Sequence, residues 1–232
     1  MFRVNRAVLA PVLAEFFATG ILVMVALILG QTTAVSYFIA TSLAVTAAAV
    51  YLIFNMVSGA HANPAITFGM WTARRIGTLR GISYIAAQLL GAVAAWQLFQ
   101  YLTNHTMAAK NVPFSTPIFV AELVGTAVLA LAFTAALNKG AMVLNSAVAI
   151  GAAYFAAILI AATASAGYVN PAIALGARAG SGVYVLGPLV GGLIGVNLYT
   201  YFFETPLVAA AAATRTVTKK TTTKRTTTRR RR

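Results

Sequence analysis

The 232-residue chain has no cysteine and no aspartate, and its only acidic residues are Glu15, Glu122 and Glu204. The lack of cysteine excludes disulfides, thiolate metal ligands and cysteine nucleophiles. Charge is scarce overall: 9% of residues are charged and 60% are hydrophobic, with a mean hydropathy of +0.83. Soluble domains carry about 25% charged residues, so a water-soluble globular domain is excluded. From Phe16 to Ala73 there are 58 residues without a single Asp, Glu, Lys or Arg. No catalytic carboxylate pair is visible among the three acids. No Ser/His/Asp set, phosphate-binding loop or metal cluster is visible, which argues against an enzyme and against any cofactor or metal.

What is present is hydrophobic length. A membrane-crossing helix needs roughly 20 apolar residues. Six windows qualify, at about 8–29, 35–57, 82–102, 116–137, 142–162 and 183–203. They predict one all-α integral membrane domain over 1–207, followed by a tail over 208–232. The first window is too long for a cleaved signal peptide. Arg215 to Arg232 holds nine of the basic residues and no acid. Such a segment is expected to be disordered, to bind anionic lipid on a cytoplasmic membrane face, and to show no specific nucleic-acid recognition.

Positive residues collect on the cytoplasmic side of membrane proteins. With six spans, Arg3, Arg6, Arg74, Arg75, Arg80, Lys139 and the tail share one face, and only Lys110 and Arg178 fall on the other. Both termini are therefore expected in the cytoplasm; which membrane is involved is not encoded. Asn104-His105-Thr106 forms a glycosylation sequon on the predicted outer face.

The chain also repeats itself. Ala14-Glu15 recurs as Ala121-Glu122, Thr19 as Thr126, Asn63-Pro64-Ala65-Ile66 as Asn170-Pro171-Ala172-Ile173 and Gly69 as Gly176, all at an offset of 107. Each repeat, at about 8–102 and 116–203, holds three spans, so the two halves cross the membrane in opposite senses as an inverted 3+3 repeat. The segments after each Asn-Pro-Ala are too short to span. Asparagine is a good N-cap and proline a good first helical residue, which predicts half-helices at 63–73 and 170–179 with their starts facing each other near the bilayer midplane. Ala87, Gly91 and Ala95, and likewise Gly187, Gly191 and Gly195, recur every four residues and predict close helix packing. Gly59 and Gly167 are read as tight-loop residues.

These features resemble an aquaporin, of the major intrinsic protein family. The resemblance rests on Ser58-Gly59-Ala60-His61-Ala62-Asn63-Pro64-Ala65-Ile66-Thr67, on Gly167-Tyr168-Val169-Asn170-Pro171-Ala172, on the paired Ala-Glu starts of spans one and four, and on Gly187-Pro188-Leu189-Val190-Gly191-Gly192. It implies six transmembrane helices and two half-helices around one pore per subunit, usually in homotetramers. The pore centre falls on Asn63, Pro64, Ala65, Asn170, Pro171 and Ala172. Two helix N-termini aimed at one point give a positive potential there, and the two amides can donate to a passing water, which disfavours cations and breaks a proton wire.

The resemblance also locates a departure. Most relatives carry an arginine three residues after the second asparagine, within a narrow outer constriction. The matching positions here are Leu43, Ile158, Gly167 and Ile173, none charged or aromatic. The aspartate that marks glycerol-conducting relatives is replaced by Ala174. Arg178 lies too far on to substitute. The implied function is a passive channel for water and small uncharged solutes, with ammonia, urea and hydrogen peroxide admitted by a less polar ring. Glu15 and Glu122 read as structural acceptors for the loops before each half-helix, with proton coupling as the alternative. His61 reads as packing or pore lining. The rival functions are a non-conducting structural or tethering protein and a coupled secondary transporter.

Overall fold

The structure is a computed structural model whose described residues are 6–138 and 142–204. Arg3, Lys139 and the basic tail 208–232 lie outside them. Eight α-helices follow one another among the described residues: α1 Arg6–Thr32, α2 Ser36–Phe54, α3 Pro64–Thr72, α4 Thr78–Thr103, α5 Thr116–Asn138, α6 Val143–Ala161, α7 Pro171–Gly176 and α8 Gly182–Leu198. A five-residue π-helical turn, Tyr199–Phe203, extends α8. Six elements are long and apolar enough to cross a membrane, α8 together with its π turn counting as one. α3 and α7 are the two short helices, and each follows a loop that begins where the preceding span ends.

Packing follows the repeat. α1 lies on α4 and α2, while α5 lies on α8 and α6; α3 packs on α8, while α7 packs on α4. Contacts between α2 and α6 and between α3 and α7 join the halves. Glycines permit this closeness. A Cβ on Gly91 would overlap the carbonyl of Phe16; on Gly191, that of Leu123; on Gly195, that of Ala127. The short helices use the same device. A Cβ on Gly192 would overlap the Ala65 carbonyl, so α8 packs directly against the start of α3.

Outward-facing side chains are apolar too: Phe17, Val45, Leu52, Leu90, Val148 and Leu186 are all exposed. A soluble helix would carry polar residues there, so this outer surface is one for lipid or for neighbouring apolar protein. The chain is an integral, multi-pass membrane protein.

The first short helix ends near its expected limit, and the second ends at Gly176 rather than 179. The cause is local. Arg178 adopts φ 60°, its N–H donates to the Leu175 carbonyl, and the Ala179 N–H reaches back to the Ala174 carbonyl. That is a Schellman ending with arginine in the position glycine usually fills. α3 ends the same way, with Arg74 at φ 57° and bonds from Arg74 to Trp71 and from Arg75 to Met70.

Candidate functional site at the junction of the half-helices

Asn63 and Asn170 adopt almost the same extended backbone, φ −155° with ψ 119° and 113° respectively. This places each side chain over its own helix start. Asn63 Oδ1 accepts from the Ala65 N–H at 2.8 Å, and Asn170 Oδ1 accepts from the Ala172 N–H at 3.0 Å. Pro64 and Pro171 occupy the first helical position, where a missing N–H costs nothing. The amide nitrogens cross to the other half. Asn63 Nδ2 donates to the Val169 carbonyl at 2.9 Å, and Asn170 Nδ2 donates to the Ala62 carbonyl at 3.0 Å. Both asparagines have 0% exposure.

The residues receiving those bonds are strained. Ala62 has φ 47° and Val169 φ 45°, a region that β-branched residues avoid. The buried glutamates hold the other end of each. Glu15 Oε2 accepts from the Ala62 N–H and Glu122 Oε2 from the Val169 N–H, each at 2.7 Å. Glu15 Oε1 also accepts from His61 N–H at 3.0 Å and Ser58 Oγ at 2.6 Å. Glu122 Oε1 matches this with Tyr168 N–H at 2.9 Å and Ser165 Oγ at 2.7 Å. Thus each left-handed residue is gripped at its N–H by a glutamate of its own half and at its carbonyl by an asparagine of the other half. Gly59 and Gly167 also have positive φ, at 96° and 67°, as does Ala60 at 50°.

The symmetry is incomplete. Gln88 Nε2 adds a fourth donor to Glu15 at 2.7 Å and also reaches Thr67 Oγ1 at 2.8 Å, whereas Glu122 has no such amide partner. His61 places Nδ1 3.1 Å from Thr67 Oγ1 and packs edge-on against the rings of Tyr84 and Phe133.

Leu43 and Ile158 are buried in one apolar cluster. Gly167 lies beside Ile158: a Cβ there would sit 3.1 Å from the Ile158 carbonyl oxygen. Ile173 belongs to a second cluster with Val23, Leu27 and Ala92. Arg178 does not enter this region; its guanidinium lies 4.3 Å from the ring centroid of Trp96, and its carbonyl accepts from the Lys110 N–H at 2.7 Å. Next to Tyr168 opens a concavity of about 340 Å³, lined also by Leu27, Gln31, His105, Met107 and Lys110. Among the described residues no group of three His, Cys, Asp or Glu side chains could hold a metal.

Sequence reasoning missed Tyr154. It lies on α6 in the cluster that holds Leu43 and Ile158 and is 3% exposed. Its hydroxyl is buried without a hydrogen-bond partner, close to the side chains of Asn63 and Asn170. The repeat itself carried the signal: the 107-residue offset pairs Tyr154 with Ala47, so a tyrosine stands on one side of the junction where the other has a methyl group.

Six spans in an inverted repeat, closed at the centre by two interlocked Asn-Pro-Ala helix starts, define a polytopic membrane protein with a specific signature. The major intrinsic protein family matches residues 3–199. The chain is similar to aquaporin TIP2-3 of Zea mays, 38% identical over 153 residues that make up 59% of this chain and 60% of that protein. It is also similar to aquaporin TIP2-1 of Arabidopsis thaliana, 34% identical over 172 residues, 66% and 69% of the two chains. The match spans about three fifths of the length of the maize and rice relatives. Among solved structures, the aquaglyceroporin from Plasmodium falciparum shares the fold with a TM-score of 0.67 and 21% identity, over 87% of this chain and 99% of that one. The chain belongs to the major intrinsic protein family.

Proposed function

We propose that the protein is a passive channel for water and small uncharged solutes, with its selective centre at Asn63 and Asn170. The reciprocal bonding of the two asparagines carries the reading. Each amide spends one hydrogen on the opposite loop carbonyl and has a second left for a permeant lone pair. A molecule accepting from both would have its own hydrogens turned outward, which interrupts proton hopping. The helix starts behind it add positive potential, α3 with nine residues more than α7 with six, and so disfavour cations. The names of the plant relatives, all aquaporins, agree with this class of activity.

Leu43, Ile158, Gly167 and Ile173 form the outer constriction in this reading and offer no charge to a passing solute. Ammonia, urea and hydrogen peroxide therefore meet no electrostatic barrier there. Glu15, Glu122 and His61 hold the loops rather than carry protons, since every oxygen of both glutamates is already engaged by protein donors. The protein works with both termini in the cytoplasm, Arg74, Arg75 and Arg80 on that face and Lys110 with Arg178 on the other, and assembles as a homotetramer through its apolar outer surface.

The test is stopped-flow light scattering of proteoliposomes under an osmotic step, with proton flux followed by an internal pH dye. Shrinkage faster than that of empty vesicles, without proton leak, is expected. Asn63→Ala with Asn170→Ala should raise proton leak. Wild-type vesicles that behave as empty ones towards water, urea and ammonia would remove the proposal.

A further inference from the structure

The junction between the half-helices is closed in this structure, and the side chain that closes it is Tyr154. Asn63 and Asn170 each have 0% exposure, so neither amide presents a face to a water-sized sphere. Each amide keeps one hydrogen that is not spent on Val169 or Ala62. Close to both amides stands the Tyr154 hydroxyl, which is itself buried and without a hydrogen-bond partner. A phenol oxygen is chemically a water oxygen with an aromatic ring attached: one donor hydrogen and acceptor lone pairs. It stands close to the two donors that a permeant would meet. The other half has only Ala47 at the equivalent position, 3% exposed and within the same cluster. Tyr154 also lies one helical turn before Ile158, on the same face of α6. A tyrosine thus stands beside the centre, while the outer positions hold only aliphatic side chains and a glycine.

We propose that Tyr154 is the specificity-determining and rate-limiting residue of permeation, its ring and unpartnered hydroxyl occupying space beside Asn63 and Asn170 that a permeant must use. This rests on the channel reading above. A solute advances only when the ring swings aside and its own polar atom takes up that space beside the two amides. Water and ammonia are small enough to share the junction with the displaced ring. Urea, which carries four heavy atoms, is not. Selection by size therefore moves from the outer ring to the centre.

The experiment compares wild type, Tyr154→Ala, Tyr154→Val and Tyr154→Phe in proteoliposomes, using osmotic water flux and urea-driven swelling, with monodispersity in detergent as the folding check and Val covering any failure of Ala. Ala and Val should raise water flux about tenfold, the factor that corresponds to a barrier lowered by about 1.4 kcal/mol when the ring no longer has to move, and should admit urea. Phe keeps the ring and should admit no urea. Wild-type water flux left unchanged by both Ala and Val, or urea flux through Phe equal to that through Ala, would overturn the role of Tyr154 while leaving a channel. Absence of flux in wild type, Ala and Val alike would overturn both.

Discussion

Glu122 lends itself to a quantitative test because its partners are few and its surroundings closed. It is 0% exposed and accepts from Ser165, Tyr168 and Val169. In Glu122→Ala, Ser165 keeps its alternative acceptor, the Ala161 carbonyl at 2.8 Å. The backbone N–H groups of Tyr168 and Val169 have none. Each buried, unmatched donor costs about 2 kcal/mol, so the pair should lower stability by about 4 kcal/mol. Val169, held at φ 45°, also loses one of its two anchors. Glu122→Gln keeps the shape but turns an amide towards the Val169 N–H or the pair at Oε1, so one contact fails, and the cost should be about 2 kcal/mol. At roughly 2–4 °C per kcal/mol for a chain of this size, Ala should lower the melting midpoint by about 10 °C and Gln by about half as much. Size-exclusion after heating in detergent reads both. The ordering wild type, Gln, Ala is the essential result. A Glu122→Ala midpoint equal to that of wild type would refute the reasoning, because it would mean that water or loop rearrangement satisfies both donors without the carboxylate.

Other expectations concern packing and the π turn. Gly192→Ala drives a methyl into the Ala65 carbonyl at the start of α3, and should cost about 3 kcal/mol, read as a lower melting midpoint with reduced water flux. Gly30→Ala on exposed α1 meets no atom within 4 Å and should raise the midpoint slightly, by about 0.5–1 kcal/mol, which makes it the control. Arg75 donates to Glu204 at 3.0 Å across the π turn, with 20% and 10% of the side chains exposed; Arg75→Ala should cost about 1 kcal/mol, diminished in high salt, and speed proteolysis near 199–204. Ile158→Ala, which widens the outer positions without touching the centre, should leave water flux unchanged if Tyr154 limits it; a rise comparable to that in Tyr154→Ala would place the barrier at the outer ring instead.

The fold was legible in the sequence because two rare features coincide. A membrane-embedded acid is costly, and a tripeptide that caps and starts a helix has a definite geometry. Repeated at a fixed spacing, each leaves little freedom to the chain. The spans and the site of the junction followed directly. What was not legible depends on three-dimensional neighbours. The early end of α7 is set by Arg178 in a conformation that usually announces itself with glycine. The positive φ of Ala62 and Val169 is invisible in residue types that rarely adopt it, and exists because glutamate and asparagine hold these residues from both sides. Tyr154 looks, in sequence, like one more aromatic residue in an apolar span. Only the orientation of α6 separates a packing ring from one whose hydroxyl is buried, without a partner, close to two amides.

The crossed asparagine bonds bear on how the protein is made. A chain leaving the ribosome completes residues 6–103 well before residue 169 exists, so Asn63 has no carbonyl to bond and Ala62 lacks the grip on its carbonyl. Glu15 must keep the first loop in shape without the second half through the synthesis of α5 and α6. Glu15 is also the glutamate with the extra clamp, the Gln88 amide of α4, and α4 is complete by that time. The second loop never waits: when Val169 and Asn170 emerge, their partners in the first half already stand in the membrane. The unequal support of the two glutamates thus matches the order in which the two halves are born.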